Sequence, residues 1–270
     1  MANNTSDAVV AEGLVKRFKS KGGDEVDAVR GVDLNVSEGE IFGFLGPNGA
    51  GKSTTVRMLT TLLPITAGKA TIFGRDVAKE PAVVRTLIGV ALQEAGLDPA
   101  QTGREQLELQ CGLFGLRGKE VKARSAELLE VVGLTADADR RVQGYSGGMK
   151  RRLDLATALV HRPRVLFLDE PTSGLDPASR ADIWTEVRDI NASGTTVFLT
   201  TQYLEEADAL CDRLAIIDAG TLVREGTPDG LKAELKERKK LRTKPTLDDV
   251  FLDATGKVKE QRASDVSEVG

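Results

Sequence analysis

Residues Gly46-Pro47-Asn48-Gly49-Ala50-Gly51-Lys52-Ser53-Thr54 read G-x-x-x-x-G-K-S, and the rest of the chain is organised around them. This spacing makes a phosphate-cradling loop when a strand precedes it and a helix follows. Both flanks are present. Ile41-Phe42-Gly43-Phe44-Leu45 is an apolar run of strand length, and Thr54-Thr55-Val56-Arg57-Met58-Leu59 can open a helix. Gly46, Gly49 and Gly51 allow backbone conformations that a Cβ forbids, so successive N–H groups can turn toward an anion. The helix start adds the positive end of its dipole. Lys52 can then reach the β- and γ-phosphates, and the Ser53 hydroxyl can ligate Mg²⁺. The stretch reads as a nucleotide site.

Composition narrows the setting. The 270 residues suit one large or two small domains with a substantial core, and 40% hydrophobic and 29% charged residues are ordinary for a soluble globular protein. A net charge of −4 gives no electrostatic case for nucleic acid as a partner. No apolar run approaches the roughly 18 residues that span a bilayer. The first residues lack the basic and apolar regions of a signal peptide. Cys111 and Cys211 lie far apart with no histidine nearby, so each is read as a small buried hydrophobe in a helix rather than a metal ligand. The expected compartment is the cytoplasm, with any membrane action exerted through a partner.

Along the chain, 9–18 reads as a first strand and 20–25 as a polar turn. Strands are expected at 26–29 and 32–36, with a hairpin-like pair at 69–73 and 76–77 across Gly74. Phe18 has two readings: core packing, or an exposed ring stacking on adenine. A helix at 83–87 leads to a short strand, 88–92, ending at Gln93. That glutamine is either a solvated boundary residue or an oxygen donor to Mg²⁺ or an attacking water. From 95 to 161 the texture becomes helical, with Leu107, Gln110, Cys111 and Phe114 on one stripe and Val121, Ser125, Leu128, Leu129 and Val132 on another. This block reads as an inserted subdomain. It closes on Tyr145-Ser146-Gly147-Gly148-Met149, where Ser146 is a good helix cap and two glycines leave the first N–H groups open. Locally that is an ordinary cap or a second anion-ready helix start.

Val165-Leu166-Phe167-Leu168 is apolar on both faces, as a central parallel strand is, and ends in Asp169 and Glu170. Ligands collect at the carboxyl ends of such strands. Asp169 is suited to hold Mg²⁺ through water and Glu170 to polarise an attacking water. A turn, 171–177, precedes a helix with Ile183, Trp184, Val187 and Ile190 inward. The next strand, 195–201, ends at Gln202. A helix (204–212), a strand (214–217) and a hairpin across 218–220 follow. A charged helix after 231 and a capped helix at 245–252, packing back on the body, complete the chain. The last fifteen residues are expected to be disordered.

The order of these motifs resembles that of ATP-binding-cassette (ABC) ATPases. Gly46–Thr54, Gln93, Tyr145–Met149, Val165–Glu170 and Ser173–Asp176 are similar to the Walker A loop, Q-loop, signature motif, Walker B strand and D-loop of that family. The resemblance implies an α/β P-loop NTPase: a RecA-like core with a mainly parallel sheet, an antiparallel β-subdomain and an inserted α-helical subdomain. On that pattern the core and β-subdomain take residues 1–94 and 162–230, the helical subdomain 95–161, and a short C-terminal extension 231–270. Stretches 145–154 and 200–208, with 245–252, resemble bacterial drug-export subunits of the daunorubicin-resistance type, although the region before residue 245 is shorter than usual there.

The resemblance further implies two cassettes paired head to tail, each ATP between one chain's Walker A loop and the other's signature helix. Phe18, Gly46, Asn48, Gly49, Ala50, Gly51, Lys52, Ser53 and Thr54 are then expected to contact nucleotide in one chain. Tyr145, Ser146, Gly147, Gly148, Met149 and Asp176 are expected to contact it across the seam. Glu170 is the expected general base, with Lys52, Gln93 and Gln202 in catalytic roles and Ser53, Gln93 and Asp169 managing Mg²⁺. The expected partners are a separate transmembrane permease and a second copy of the chain, with the subunit peripheral on the cytoplasmic face of the membrane. Two residues depart from the pattern: Met149 replaces a glutamine, and Gln202 replaces the switch histidine, for which His161, the sole histidine, is a poor substitute. Gln202 can contact a phosphate but cannot carry a proton near neutral pH. A nucleotide-binding switch with little turnover and a soluble non-transport ABC ATPase are the alternatives.

Overall fold

The computed structural model describes residues 7–19, 25–93 and 96–256. Of the polar turn expected at 20–25 only Glu25 is described, at the start of a strand, and of the last fifteen residues, expected to be disordered, only Gly256 is. The chain opens with an antiparallel pair, β1 (Asp7–Lys19) and β2 (Glu25–Ser37), and then enters β3 (Ile41–Leu45) and α1 (Lys52–Leu59). β4 (Ala67–Ile72) and β5 (Arg75–Asp76) return to the first sheet, whose order is β2-β1-β4-β5. α2 (Pro81–Leu87) and β6 (Ile88–Ala91) lead to three helices, α3 (Gly103–Leu113), α4 (Lys119–Val131) and α5 (Gly147–Ala158). β7 (Val165–Asp169), α6 (Pro177–Ala192), β8 (Thr196–Thr201), α7 (Leu204–Leu210), β9 (Arg213–Asp218) and β10 (Thr221–Gly226) follow. α8 (Pro228–Lys239) and α9 (Leu247–Ala254) end the described chain. The second sheet runs β10-β9-β3-β8-β7-β6, every pair parallel except the β9–β10 hairpin.

The central strands are apolar throughout because both of their faces are covered. Successive side chains of a strand point to opposite faces. In β7, Val165 and Phe167 therefore join one core with the antiparallel sheet and α1, while Leu166 and Leu168 join the other with α3 to α6. Phe42, Phe44 and Phe167 each meet Phe198 at 5.3–5.7 Å between ring centres, all fully buried. The sheet is thus fixed on both sides, and the carboxyl ends of β3, β7 and β8 come to one edge.

The differences from the sequence reading have local causes. The two strands expected at 26–29 and 32–36 are one, β2, because Gly31 at φ 75° and Gly13 at φ 58° absorb a bulge without ending the ladder. The helix after the phosphate loop begins at Lys52, two residues earlier than expected, because Gly51 takes φ 107° at its cap. Phe114 is not on the inward stripe. It is the residue at which α3 ends, it is 44% exposed, and it stacks on His161 at 4.0 Å, while Gln106 is buried instead. Cys111 and Cys211 are free and buried as expected, but Cys211 follows the end of α7 rather than lying within it. Trp184 is half-buried, with its indole N–H donated to Glu206 Oε1 at 3.0 Å. α9 packs back on the body through Leu247 and Val250, capped at Thr246, with Asp253 paired to Arg238 and Lys239. No helix among the described residues is long and apolar enough to cross a membrane.

One buried acid in this scaffold predicts a pH effect. Glu186 on α6 has a buried Oε2 without a hydrogen-bond partner among the described residues, and its nearest cation, Arg152 Nε, is 4.0 Å away. Burial, opposed by Arg152, pushes its pKa up to about 8. Between the ordinary carboxylate range and pH 8 the folded chain holds a proton that the unfolded chain releases, so stability falls as pH rises through that window. Glu186→Gln should therefore match the unaltered protein in melting temperature near pH 4.5 and exceed it by a growing margin toward pH 8. Equal melting temperatures across that range would remove Glu186 from this role.

Candidate nucleotide site

The edge where β3, β7 and β8 end carries a cleft of about 480 Å³, a volume suited to a small-molecule ligand. Its walls are Ala28, Asn48, Gly49, Gly51, Lys52, Ser53, Thr54, Gln93, Glu170, Ser173 and Gln202. Much of the predicted site thus converges from five segments far apart in sequence. Gly46 and Ala50 shape the loop from behind. A Cβ on Gly46 would lie 2.4 Å from the Ile217 carbonyl, so only glycine lets the loop sit against β9. Ala50 is buried and donates its N–H to the Pro47 carbonyl at 3.1 Å.

The charged groups of the cleft hold one another. Lys52 Nζ donates to the Gly46 and Pro47 carbonyls at 2.8 and 3.3 Å and pairs with Glu170 Oε1 at 3.2 Å. Only 4% and 8% of these two side chains is exposed, so the pair is shielded from water. Asp169 lies behind the wall, 1% exposed, and its Oδ1 accepts from Ser53 Oγ at 3.1 Å and from Thr200 Oγ1 at 2.5 Å. Ser53 and Gln93 on the wall and Asp169 behind Ser53 are hard oxygen donors, a set that fits Mg²⁺ shared with phosphate oxygens.

Glu170 sits in a strained turn. Its φ is 50°, a left-handed conformation that costs a residue with a Cβ about 1 kcal/mol or more. The turn is held from every side. Glu170 N–H is shared between the Thr200 carbonyl and hydroxyl, both at 3.1 Å, and its carbonyl accepts from Ser173 N at 3.2 Å. This geometry aims the carboxylate back toward Lys52 instead of along the strand axis.

Several predicted residues lie outside the cleft. Phe18 is 42% exposed, not a core residue, with Lys16 Nζ over one face of its ring, 5.2 Å from the centre. Ser146 caps α5 by accepting from Met149 N at 3.2 Å, and Ser146 and Gly147 are exposed. A Cβ on Gly148 would meet Ser179 Oγ at 2.9 Å, so glycine there lets α5 and α6 start side by side. Asp176 caps α6, accepting from Ala178 N and from Ser179 N and Oγ, which occupies its carboxylate within its own chain. Tyr145, expected among the contacts across the seam, has its ring 5% exposed in the helical core and its hydroxyl donated to the Asp137 carbonyl at 2.7 Å. Phenol burial explains why an aromatic stands there.

Sequence reasoning missed Ala28, Ser173 and Thr200 as contributors. Ser173 stood in a quoted motif without a role. Thr200 was visible only as the end of a Thr-rich strand, and nothing marks Ala28.

Fold and cleft together define a phosphate-loop nucleotide-binding protein with an acidic pair at the end of its central strand. The family model described as ABC transporter matches residues 29–173, and the chain belongs to that family. It is 52% identical over 225 residues to the daunorubicin resistance ATP-binding protein DrrA2 of Streptomyces coeruleorubidus, spanning 83% of this chain and 68% of that one. It is 50% identical over 228 residues to the daunorubicin/doxorubicin resistance ATP-binding protein DrrA of Streptomyces peucetius, spanning 84% and 68%. Among solved structures, the dimeric post-hydrolysis state of the ATP-binding cassette MJ0796 bound to ADP and Pi superposes with a TM-score of 0.74 at 29% identity, covering 81% of this chain and 98% of that one. The chain is accordingly an ABC-type nucleotide-binding ATPase subunit.

Proposed function

We propose that this subunit binds and hydrolyses Mg-ATP to drive export of a hydrophobic drug or antibiotic through a separate membrane permease. On this reading it is peripheral on the cytoplasmic face of the membrane. The observation that carries the catalytic part is Glu170: a buried carboxylate, held in a strained turn at the end of a central strand, facing the phosphate-loop lysine. The drug-export part is supported by the names of the relatives described above.

The residues divide the work as follows. The loop amides and Lys52 bind the phosphates and stabilise charge in the transition state. Ser53, Gln93 and Asp169 would hold Mg²⁺, which would supply charge neutralisation when bound. Glu170 accepts the proton of the attacking water once a phosphate has drawn Lys52 away from it. Phe18 stacks on adenine. The exposed Ser146–Gly147 start of α5 lies outside its own chain's cleft, which supports a head-to-tail pair in which it faces the partner's γ-phosphate. The dimeric cassette among the similar structures supports the same pairing. Phosphate release from Mg-ATP by the subunit co-purified with its permease, stimulated by the exported compound, tests the whole reading. Absence of release in the presence of the permease overturns it.

Gln202 lines the cleft where a proton-carrying group would speed turnover, and its amide cannot serve. The isolated subunit should therefore be slow, and Gln202→His should raise its basal phosphate release several-fold. An unchanged or lower rate would count against this role.

A further inference from the structure

Arg151 is charged yet 9% exposed, and it sits on the second turn of α5, the helix headed by Ser146. Its guanidinium leaves the helix and donates to three backbone carbonyls in two other segments. Nε reaches the Pro171 carbonyl at 2.9 Å, Nη2 the Asp169 carbonyl at 3.1 Å, and Nη1 the Leu92 carbonyl at 2.5 Å. Nη1 also meets Asp154 Oδ2 at 3.2 Å, which supplies the countercharge from the same helix. Asp169 and Pro171 flank Glu170, and Leu92 immediately precedes Gln93.

We propose that Arg151 is a positioning residue that locks the Glu170 turn and the start of the Gln93 segment to the helix headed by Ser146. The inference rests on the ATPase reading for the meaning of Glu170, but the clamp itself stands on the hydrogen bonds. The left-handed turn at Glu170 needs restraint on both sides. Thr200 supplies it at the amide, and Arg151 supplies it at the carbonyls before and after. The same rigid fork holds Leu92, so these three segments cannot shift independently. A helix displaced where it meets a second copy of the chain would carry both Gln93 and Glu170 with it.

Only arginine presents donors in a fixed plane to three acceptors, whereas a lysine ammonium is a point charge on a flexible stem. Asp154 makes the buried cation tolerable. Burial lifts its carboxyl to about 6, against the pull of Arg151, so it stays ionised at neutral pH.

The test uses the full chain with Arg151→Lys and the double variant Arg151→Met/Asp154→Leu, which replaces a buried ion pair with an apolar pair of similar volume and so is expected to fold. Both variants should bind Mg-ATP within about threefold of the unaltered affinity while kcat falls at least tenfold, lysine rescuing poorly. Hydrogen–deuterium exchange without nucleotide should quicken in 88–93 and 166–173 together and stay unchanged in α4. Turnover within threefold of the unaltered protein, affinity falling in step with kcat, or quickening confined to α5 would overturn the clamp. If the unaltered chain with its permease releases no phosphate, the ATPase reading fails, and the exchange in the two segments then decides the clamp alone.

Discussion

Glu170→Gln abolishes turnover and keeps ATP bound: phosphate release drops by roughly 10²–10⁴-fold, the range that a positioned base supplies. The amide fills the same space and still accepts a hydrogen bond from Lys52, so the fold is kept. It cannot take a proton from water. Lys52 is also engaged by Glu170 at 3.2 Å, and a triphosphate must compete for that ammonium. Removing the carboxylate's charge removes the competitor, so ATP should bind several-fold more tightly to the variant. With hydrolysis stopped, two chains should remain joined around nucleotide, visible by light scattering with Mg-ATP present. Normal phosphate release would remove Glu170 from the role, and a variant that stays monomeric when loaded with ATP would overturn the shared site.

Lys52→Met should be costly before any nucleotide is added. It removes the ion-pair partner of a carboxylate that is 8% exposed, and stranding one charge of a buried pair costs about 3–5 kcal/mol. Chemical denaturation at pH 7 measures this. Adding Glu170→Gln to the same chain should restore most of the loss, because no buried charge is left without a partner. Separately, ATP affinity should fall by roughly 30-fold or more, as removal of a charge-assisted contact to phosphate implies. A single variant as stable as the unaltered chain, or a double variant no more stable than the single, would show that the pair does not bear this load.

The elements were largely legible because each depends on a short range of sequence. A four-residue apolar run between Arg164 and Asp169 can be satisfied only between two covered faces, and β7 is such a strand. The phosphate loop needs its glycines in fixed places, and Gly51 at φ 107° is where the helix begins. The errors were of one kind. Gly31 looked like an end of strand because a bulge and a break read alike until the partner strand is present. Phe114 kept a helical period in the sequence after the helix had stopped.

The sequence by itself determined the strand–loop–helix, the acidic dyad after an apolar strand, and the capped start of α5, since these are set by backbone conformation and hydrogen bonding within a few residues. Only the tertiary structure decided that Lys52 rests on Glu170 and that Thr200 and Arg151 hold the turn beneath it. Those contacts join residues tens to more than a hundred positions apart. Their geometry is set by how the sheet stacks its strands, and no local pattern carries that information.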